Sequence, residues 1–136
     1  MACRLWLGPE NQCVVPFSRF AEPDYTSHVE GERVPNAWFA GDEDCPLLWF
    51  AGAWVANWTS VRKIKEGEVT CDLYGFLTTS PNRVVGEIHE KAMPVILRTV
   101  EEIELWMTAP WEEAKRLQRP MPDDELLLLS PESVPA

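Results

Sequence analysis

The feature that most constrains the fold is an uninterrupted apolar run over residues 47–55, near the middle of the chain. The run is about half the length that a membrane-spanning helix needs, and its composition favours a strand. Because odd and even positions are both apolar, both faces of that strand must be covered. The run therefore predicts a sheet that closes on itself or packs between other elements.

Size and composition place this sheet in one domain. The chain has 136 residues, 46% of them hydrophobic, and includes seven tryptophans and five phenylalanines. That length supports a core of ordinary size, so residues 1–136 are expected to form a single domain. The sequence opens without the charged and apolar pattern of a secretion signal, which predicts a cytoplasmic protein without membrane contacts.

The order of apolar segments and turn signals predicts an α+β fold with a mostly antiparallel sheet and short flanking helices. Strands are expected over 12–15, 17–21, 36–40, 47–55, 71–78, 94–97 and 126–129, with Pro16 ending the first of them. Residues 22–35 and 57–68 are expected to be loops. Short helices are expected over 81–87, 100–107 and 111–117.

Local capping signals mark where two of these helices begin. Ser80 followed by Pro81 predicts an N-cap and a first helical residue, and Thr99 with Glu102 forms a capping box. In the helix over 100–107, Ile103, Trp106 and Met107 are expected to share the buried face.

Two functional side chains lie just before the strand predicted over 94–97. They are His89 and Lys91. Histidine is the side chain whose unperturbed pKa lies near neutrality, so His89 is a candidate proton carrier. A purely structural role is the alternative. The second histidine of the sequence, His28, lies in a predicted loop.

The cysteines indicate neither a metal site nor a redox pair. Cys3, Cys13, Cys45 and Cys71 have none of the spacings of metal ligands. Free thiols are expected, two or three of them buried. No metal and no cofactor are expected.

The net charge of −10 disfavours a nucleic-acid partner, because phosphate binding usually needs a positive surface. The charge is unevenly distributed. Residues 99–136 hold nine acidic and three basic side chains, whereas residues 70–98, around His89, hold three of each. Most of the acidity is therefore expected to lie away from a site at His89.

Five short motifs follow one another along the chain. They are Cys13-Val14-Val15-Pro16, Phe20-Ala21-Glu22, Phe50-Ala51-Gly52-Ala53-Trp54, Phe76-Leu77-Thr78-Thr79 and the segment from His89 to Leu97. This series resembles the SOS response-associated peptidase (SRAP) family. The resemblance implies a barrel-like sheet and binding of single-stranded DNA. It also implies capture of abasic sites by an N-terminal cysteine, whose amine and thiol close a thiazolidine on the sugar aldehyde.

The resemblance also implies roles for individual residues. Glu22 takes the position of the family's glutamate and His89 that of its histidine, and both assist proton transfer. Lys91 takes the place of a basic residue that faces phosphate, and Arg83 and Thr78 are the further expected DNA contacts. A solvated loop carboxylate is the alternative role for Glu22.

The family's N-terminal section has no counterpart in this sequence, so the chain is expected to be a partial domain, its C-terminal portion. That section carries the catalytic cysteine and an Asn-Ala-Arg motif. Cys3 is not expected to replace the cysteine, because removal of Met1 leaves Ala2 at the N-terminus and Cys3 without a free α-amine.

Two functions therefore stay open from the sequence. In the first, the chain keeps the Glu22 and His89 half of the site and cleaves abasic DNA weakly by β-elimination, without lasting covalent capture. In the second, it is a non-catalytic protein that forms homodimers through its aromatic strands, which carry Trp38, Trp49 and Trp54.

Overall fold

The computed structural model describes residues 6–133 and shows short helices packed on antiparallel strands. The strands are β1 (Gln12–Phe17), β2 (Phe20–Pro23), β3 (Asn36–Ala40), β4 (Leu48–Ser60), β5 (Val69–Phe76), β6 (Thr78–Thr79), β7 (Met93–Pro94), β8 (Ile96–Leu97) and β9 (Leu127–Leu128). The α-helices are α1 (Arg83–Gly86), α2 (Val100–Thr108) and α3 (Trp111–Ala114). The predicted α+β, mostly antiparallel class is confirmed, and across residues 6–133 the sheets do not close into a barrel.

The apolar run becomes the central strand of the largest sheet. β4 pairs with β1 along one edge, and with β8 and then β5 along the other. Phe50 of β4 lies in a core cluster with Phe17 and Phe20, and the Phe17 and Phe50 rings stack 3.9 Å apart. Neighbouring Ala51 packs in a second cluster with Trp106 of α2. Both faces of the strand are therefore covered over residues 48–52, whereas Leu47 and Trp54, near the two ends of the apolar run, are 57% and 39% exposed.

Trp106 ties α2 to this sheet. Its side chain is fully buried, and its indole N–H donates to the carbonyl oxygens of Cys13 at 2.9 Å and Gly52 at 3.1 Å. Cys13 and Gly52 are opposite each other on β1 and β4. A buried indole needs such an acceptor, since an unpaired N–H in the core would be destabilising.

The start of α2 follows the predicted capping signal. Thr99 is the N-cap, and its hydroxyl accepts from the Glu102 amide at 3.1 Å. The predicted buried face is confirmed for Trp106, whereas Met107 is exposed. Met107 lies in the last turn of this short helix, on a part of the helix surface that the sheet does not cover.

Several other local predictions are wrong, among them that Glu22 begins a loop, since it lies on β2. Three of the differences have a clear physical reason. β1 continues through Pro16, because proline is tolerated on an edge strand. β4 runs on to Ser60 through a bulge in which Asn57 adopts a φ of 53° and donates its amide to Asp72 at 3.0 Å. The N-cap of α1 is Asn82 and not Ser80, because the Asn82 side chain has two buried partners.

Candidate functional site

Two separate elements bring Glu22 and His89 together. Glu22 lies on β2, opposite Ala37 of β3. His89 lies just beyond α1, and its backbone amide donates to the carbonyl of Val85 at 2.7 Å. Val85 is fully buried in the core, so the turn that carries His89 is anchored to the interior.

Asn82 fixes the other end of the same helix. Its side-chain oxygen accepts from the Val85 amide at 2.9 Å, and its side-chain nitrogen donates to the Met121 carbonyl at 2.9 Å. Asparagine is among the best N-cap residues, and here one buried amide caps α1 and attaches it to the C-terminal segment. The preference of asparagine for N-caps was the sequence signal that could have identified this residue.

The two side chains form a close, largely buried pair. The Nε2 atom of His89 lies 3.9 Å from a carboxylate oxygen of Glu22, and the side chains are 23% and 19% exposed, respectively. The Nδ1 atom of His89 lies 3.0 Å from the carbonyl oxygen of Ala92. Because a carbonyl can only accept, this contact assigns a proton to Nδ1 and directs Nε2 toward Glu22.

Burial changes the proton affinity of the carboxylate. Desolvation raises the pKa of Glu22 above its ordinary value, and the neighbouring charge of His89 offsets part of that increase. The Glu22 carboxyl therefore holds its proton more tightly than an exposed glutamate does. The alternative of a solvated loop carboxylate does not fit this burial.

A cleft of about 480 Å³ opens beside the pair. Its walls come from the start of the β2–β3 loop and from the segment after α1. The lining residues are Pro23, Tyr25, Thr26, Gly86, Glu87, Ile88, His89, Glu90 and Lys91.

The loop wall of the cleft is held by Asp24. Its carboxylate accepts from the hydroxyl of Thr26 and from the amides of Thr26 and Ser27. These hydrogen bonds, that of the Thr26 hydroxyl above all, lower the pKa of Asp24. The resulting turn presents the ring of Tyr25, which is 66% exposed. Tyr25, Thr26, Glu87 and Glu90 were not identified from the sequence, because no local pattern shows which residues share a cleft.

The expected DNA contacts are not gathered at one place. Lys91 is exposed and lines the cleft. The guanidinium of Arg83, at the opposite end of α1, lies 3.8 Å from the Asp123 carboxylate. Thr78 is opposite Pro94 in the β6–β7 pair, and its carbonyl accepts from the Gln118 side chain. Neither Arg83 nor Thr78 lines the cleft.

The cysteines that the structure describes are free but lie elsewhere. Cys13, Cys45 and Cys71 are each partly buried, which falls short of the burial expected for two or three thiols. None of these three lines the cleft, and burial raises the pKa of Cys13. Cys3 lies outside the described residues.

Residues 6–133 contain no cluster of three or more histidine, cysteine or acidic side chains that could hold a metal ion. No helix among them has the length and apolarity needed to cross a membrane.

A family match covers nearly all of the described residues. The family model described as SOS response associated peptidase (SRAP) matches residues 7–131. No curated protein matches the sequence at a significant level. The matched residues include Glu22, His89 and the two segments, 23–26 and 86–91, that line the cleft.

Proposed function

Because the chain belongs to the SOS response-associated peptidase (SRAP) family, we propose that its Glu22–His89 pair performs acid–base chemistry on abasic single-stranded DNA. Family membership supports an SOS response-associated, peptidase-like role. The substrate and the reaction are the parts that we propose here.

One observation carries the proposal. The Nε2 atom of His89 lies 3.9 Å from the partly buried carboxylate of Glu22, at the edge of the cleft. The Ala92 carbonyl accepts a hydrogen bond from Nδ1, the other ring nitrogen, so Nε2 is the nitrogen left to exchange protons. Burial also raises the pKa of the Glu22 carboxyl, and shifted pKa values are common among the titratable groups of functional sites.

The proposed reaction is strand cleavage by β-elimination. The abasic sugar first opens when its anomeric hydroxyl gives up a proton and its ring oxygen gains one, which produces an aldehyde. A base then removes a proton from C2′, the C3′–O bond breaks, and the 3′ phosphate leaves. Nε2 of His89 can accept a proton in these steps, and the Glu22 carboxyl, when protonated, can return one.

The walls of the cleft suit a nucleotide only partly. The exposed ring of Tyr25 offers a stacking surface for a base, and the ammonium of Lys91 offers a contact for a phosphate. The carboxylates of Glu87 and Glu90 also line the cleft and repel phosphate. Weak, salt-dependent binding is therefore expected.

Lasting covalent capture is not part of this proposal. A thiazolidine needs a thiol and an amine on the same residue, and none of Cys13, Cys45 and Cys71 lines the cleft. No covalent link to abasic DNA is therefore expected through any of these three thiols. Mass spectrometry of the protein after incubation with abasic DNA would reveal such a link.

The test uses end-labelled single-stranded DNA with one abasic site, analysed on a denaturing gel. The wild-type protein should shorten the labelled strand. His89→Ala should lower the cleavage rate by about a hundredfold, the lower end of general acid–base effects. His28→Ala is the matched control, because His28 lies in the exposed loop before β3 and contacts the Glu32 carbonyl. A wild-type protein that neither cleaves nor binds this DNA in a salt-sensitive way would overturn the proposal.

Protein association is a second candidate function, and one observation favours it. Trp54, which was expected to lie at an interface, is 39% exposed on the long β4–β5 ribbon. Trp38 and Trp49 are only partly exposed: the Arg19 guanidinium covers the ring of Trp38, and Trp49 packs on the helix-side core. Sedimentation of the pure protein tests this candidate, and a strictly monomeric protein would contradict it.

A further inference from the structure

The outer strand of the largest sheet has an unprotected edge. β5 ends the order β1-β4-β5, and among residues 6–133 no strand pairs with its outer side. Soluble proteins usually protect such an edge with lysine, proline or a bulge that turns it away. Residues Val69–Phe76 contain neither lysine, arginine nor proline, and Asp72 is their one charged residue.

The backbone hydrogen bonds show which residues face outward. The Leu77 amide donates to the Ala51 carbonyl of β4 at 2.9 Å. Because backbone groups alternate in direction along a strand, Leu73 and Gly75 also direct theirs toward β4. Asp72, Tyr74 and Phe76 therefore direct their N–H and C=O groups away from it, where another strand could bond to them.

The side chains along this edge are aromatic and exposed. Tyr74 is 66% exposed and Phe76 is 42% exposed, and Tyr74 is opposite Trp54 on β4. Exposed aromatic groups in contact with one another usually mark an association surface. The rings of Tyr74 and Phe76 lie 6.0 Å apart, so they form one patch.

The charge of the chain limits what can occupy this edge. Two copies of a chain with net charge −10 repel each other over most of their surfaces. β5 carries one acidic residue, and the loop over residues 61–68 that leads into it carries three basic and two acidic residues. β5 and this loop together carry three basic and three acidic residues, so a second copy can approach along this edge without strong repulsion.

We propose that two copies of this chain pair antiparallel along β5, about a two-fold axis that passes through Leu73. This deepens the association candidate above by naming its surface, its partner and its register. Such a contact is isologous, so it closes as a dimer and does not extend into a fibre.

The register follows from the outward-facing residues. Ladder bonds can form only between the even-numbered residues of the two strands, so the axis passes through a residue and not between two. An axis at Asp72 would place two carboxylates opposite each other, and an axis at Tyr74 would shorten the overlap. With the axis at Leu73, each Asp72 lies opposite Tyr74 of the second copy, and the phenol hydroxyl can donate to the carboxylate.

The test is sedimentation equilibrium over a range of protein concentrations, with three variants. Tyr74→Glu places a second carboxylate opposite Asp72 twice in each dimer, and we expect the dissociation constant to rise by about tenfold or more. Tyr74→Lys places an ammonium there, and the dimer should persist. Tyr25→Glu is the matched control, because Tyr25 is equally exposed but lies at the cleft.

Each outcome distinguishes this proposal from the others. A dimer that responds to Tyr74→Glu but not to Tyr74→Lys or Tyr25→Glu supports the edge and its register. A wild-type monomer overturns all association. A dimer unaffected by Tyr74→Glu would show that β5 is not the interface. A dimer disrupted equally by Tyr74→Glu and Tyr74→Lys would contradict the proposed register. Far-UV circular dichroism checks that each variant is folded, and the abasic-DNA gel tests the catalytic proposal independently.

Discussion

Replacing Trp106 with phenylalanine tests how the central sheet is attached to its covering helix. The Trp106 side chain is fully buried, and its N–H is shared between the Cys13 and Gly52 carbonyls on two adjacent strands. Its ring also meets the ring of Trp111 edge to face, with 6.3 Å between centroids. Phenylalanine keeps one aromatic ring but removes the donor and part of the volume.

The expected loss combines two effects. Leaving two buried carbonyl acceptors without their donor costs about 1–3 kcal/mol. The volume left empty by the smaller ring adds about 1 kcal/mol, since a full Trp→Ala truncation costs about 3–5 kcal/mol. Trp106→Phe should therefore lower the free energy of unfolding by about 2–4 kcal/mol, a large share of the roughly 5–15 kcal/mol typical of a domain.

Urea unfolding followed by far-UV circular dichroism measures this loss. Trp54→Phe is the matched control, because Trp54 is 39% exposed, and its loss should stay within about 0.5 kcal/mol. If Trp106→Phe loses less than about 1 kcal/mol, or no more than Trp54→Phe does, the shared hydrogen bond does not hold the helix to the sheet.

Three further variants test the site and its supports. The pKa of Glu22 in the folded protein lies above its value in the unfolded chain, so the wild type should lose stability as the pH rises from about 4.3 through the raised pKa. Glu22→Gln should not show this loss. Thermal melts across this range check it, and an identical slope in both proteins would contradict it. Asn82→Ala removes an N-cap and the donor to the Met121 carbonyl, so it should lower the free energy of unfolding by about 2–4 kcal/mol, measured by urea unfolding. Asn82→Ser keeps a capping side chain and should lose less. Lys91→Ala should lower the salt dependence of single-stranded DNA binding, measured by fluorescence anisotropy, by about 0.7 in the log–log slope, and Glu90→Gln should instead tighten binding.

Local signals predicted local structure well. The strand over 36–40 and the Thr99 cap of α2 have the predicted bounds, because each depends on a few neighbouring residues. The sequence predicts a loop at Asn57, where the structure has a bulge. A polar residue that tolerates a positive φ is typical of loops and of bulges alike. The partner that distinguishes them, Asp72, lies on the next strand.

The candidate site could be predicted only in part. The resemblance to a family identified Glu22 and His89, but no periodicity in the sequence places them 3.9 Å apart. Their distance depends on the pairing of β2 with β3 and on the anchoring of α1 by Asn82 and Val85. The charges of the cleft depend on the same tertiary contacts, so the opposing effects of Lys91 and the nearby carboxylates emerged only from the structure.

A double-mutant cycle on abasic-DNA cleavage tests whether Glu22 and His89 act as one acid–base pair. Cleavage rates would be measured for the wild type, Glu22→Gln, His89→Ala and the double variant, each at the same saturating protein concentration. If the two groups act as one acid–base pair, the double variant should be no slower than the slower single variant. Losses that multiply, or a Glu22→Gln variant that cleaves at the wild-type rate, would contradict a shared role for the pair.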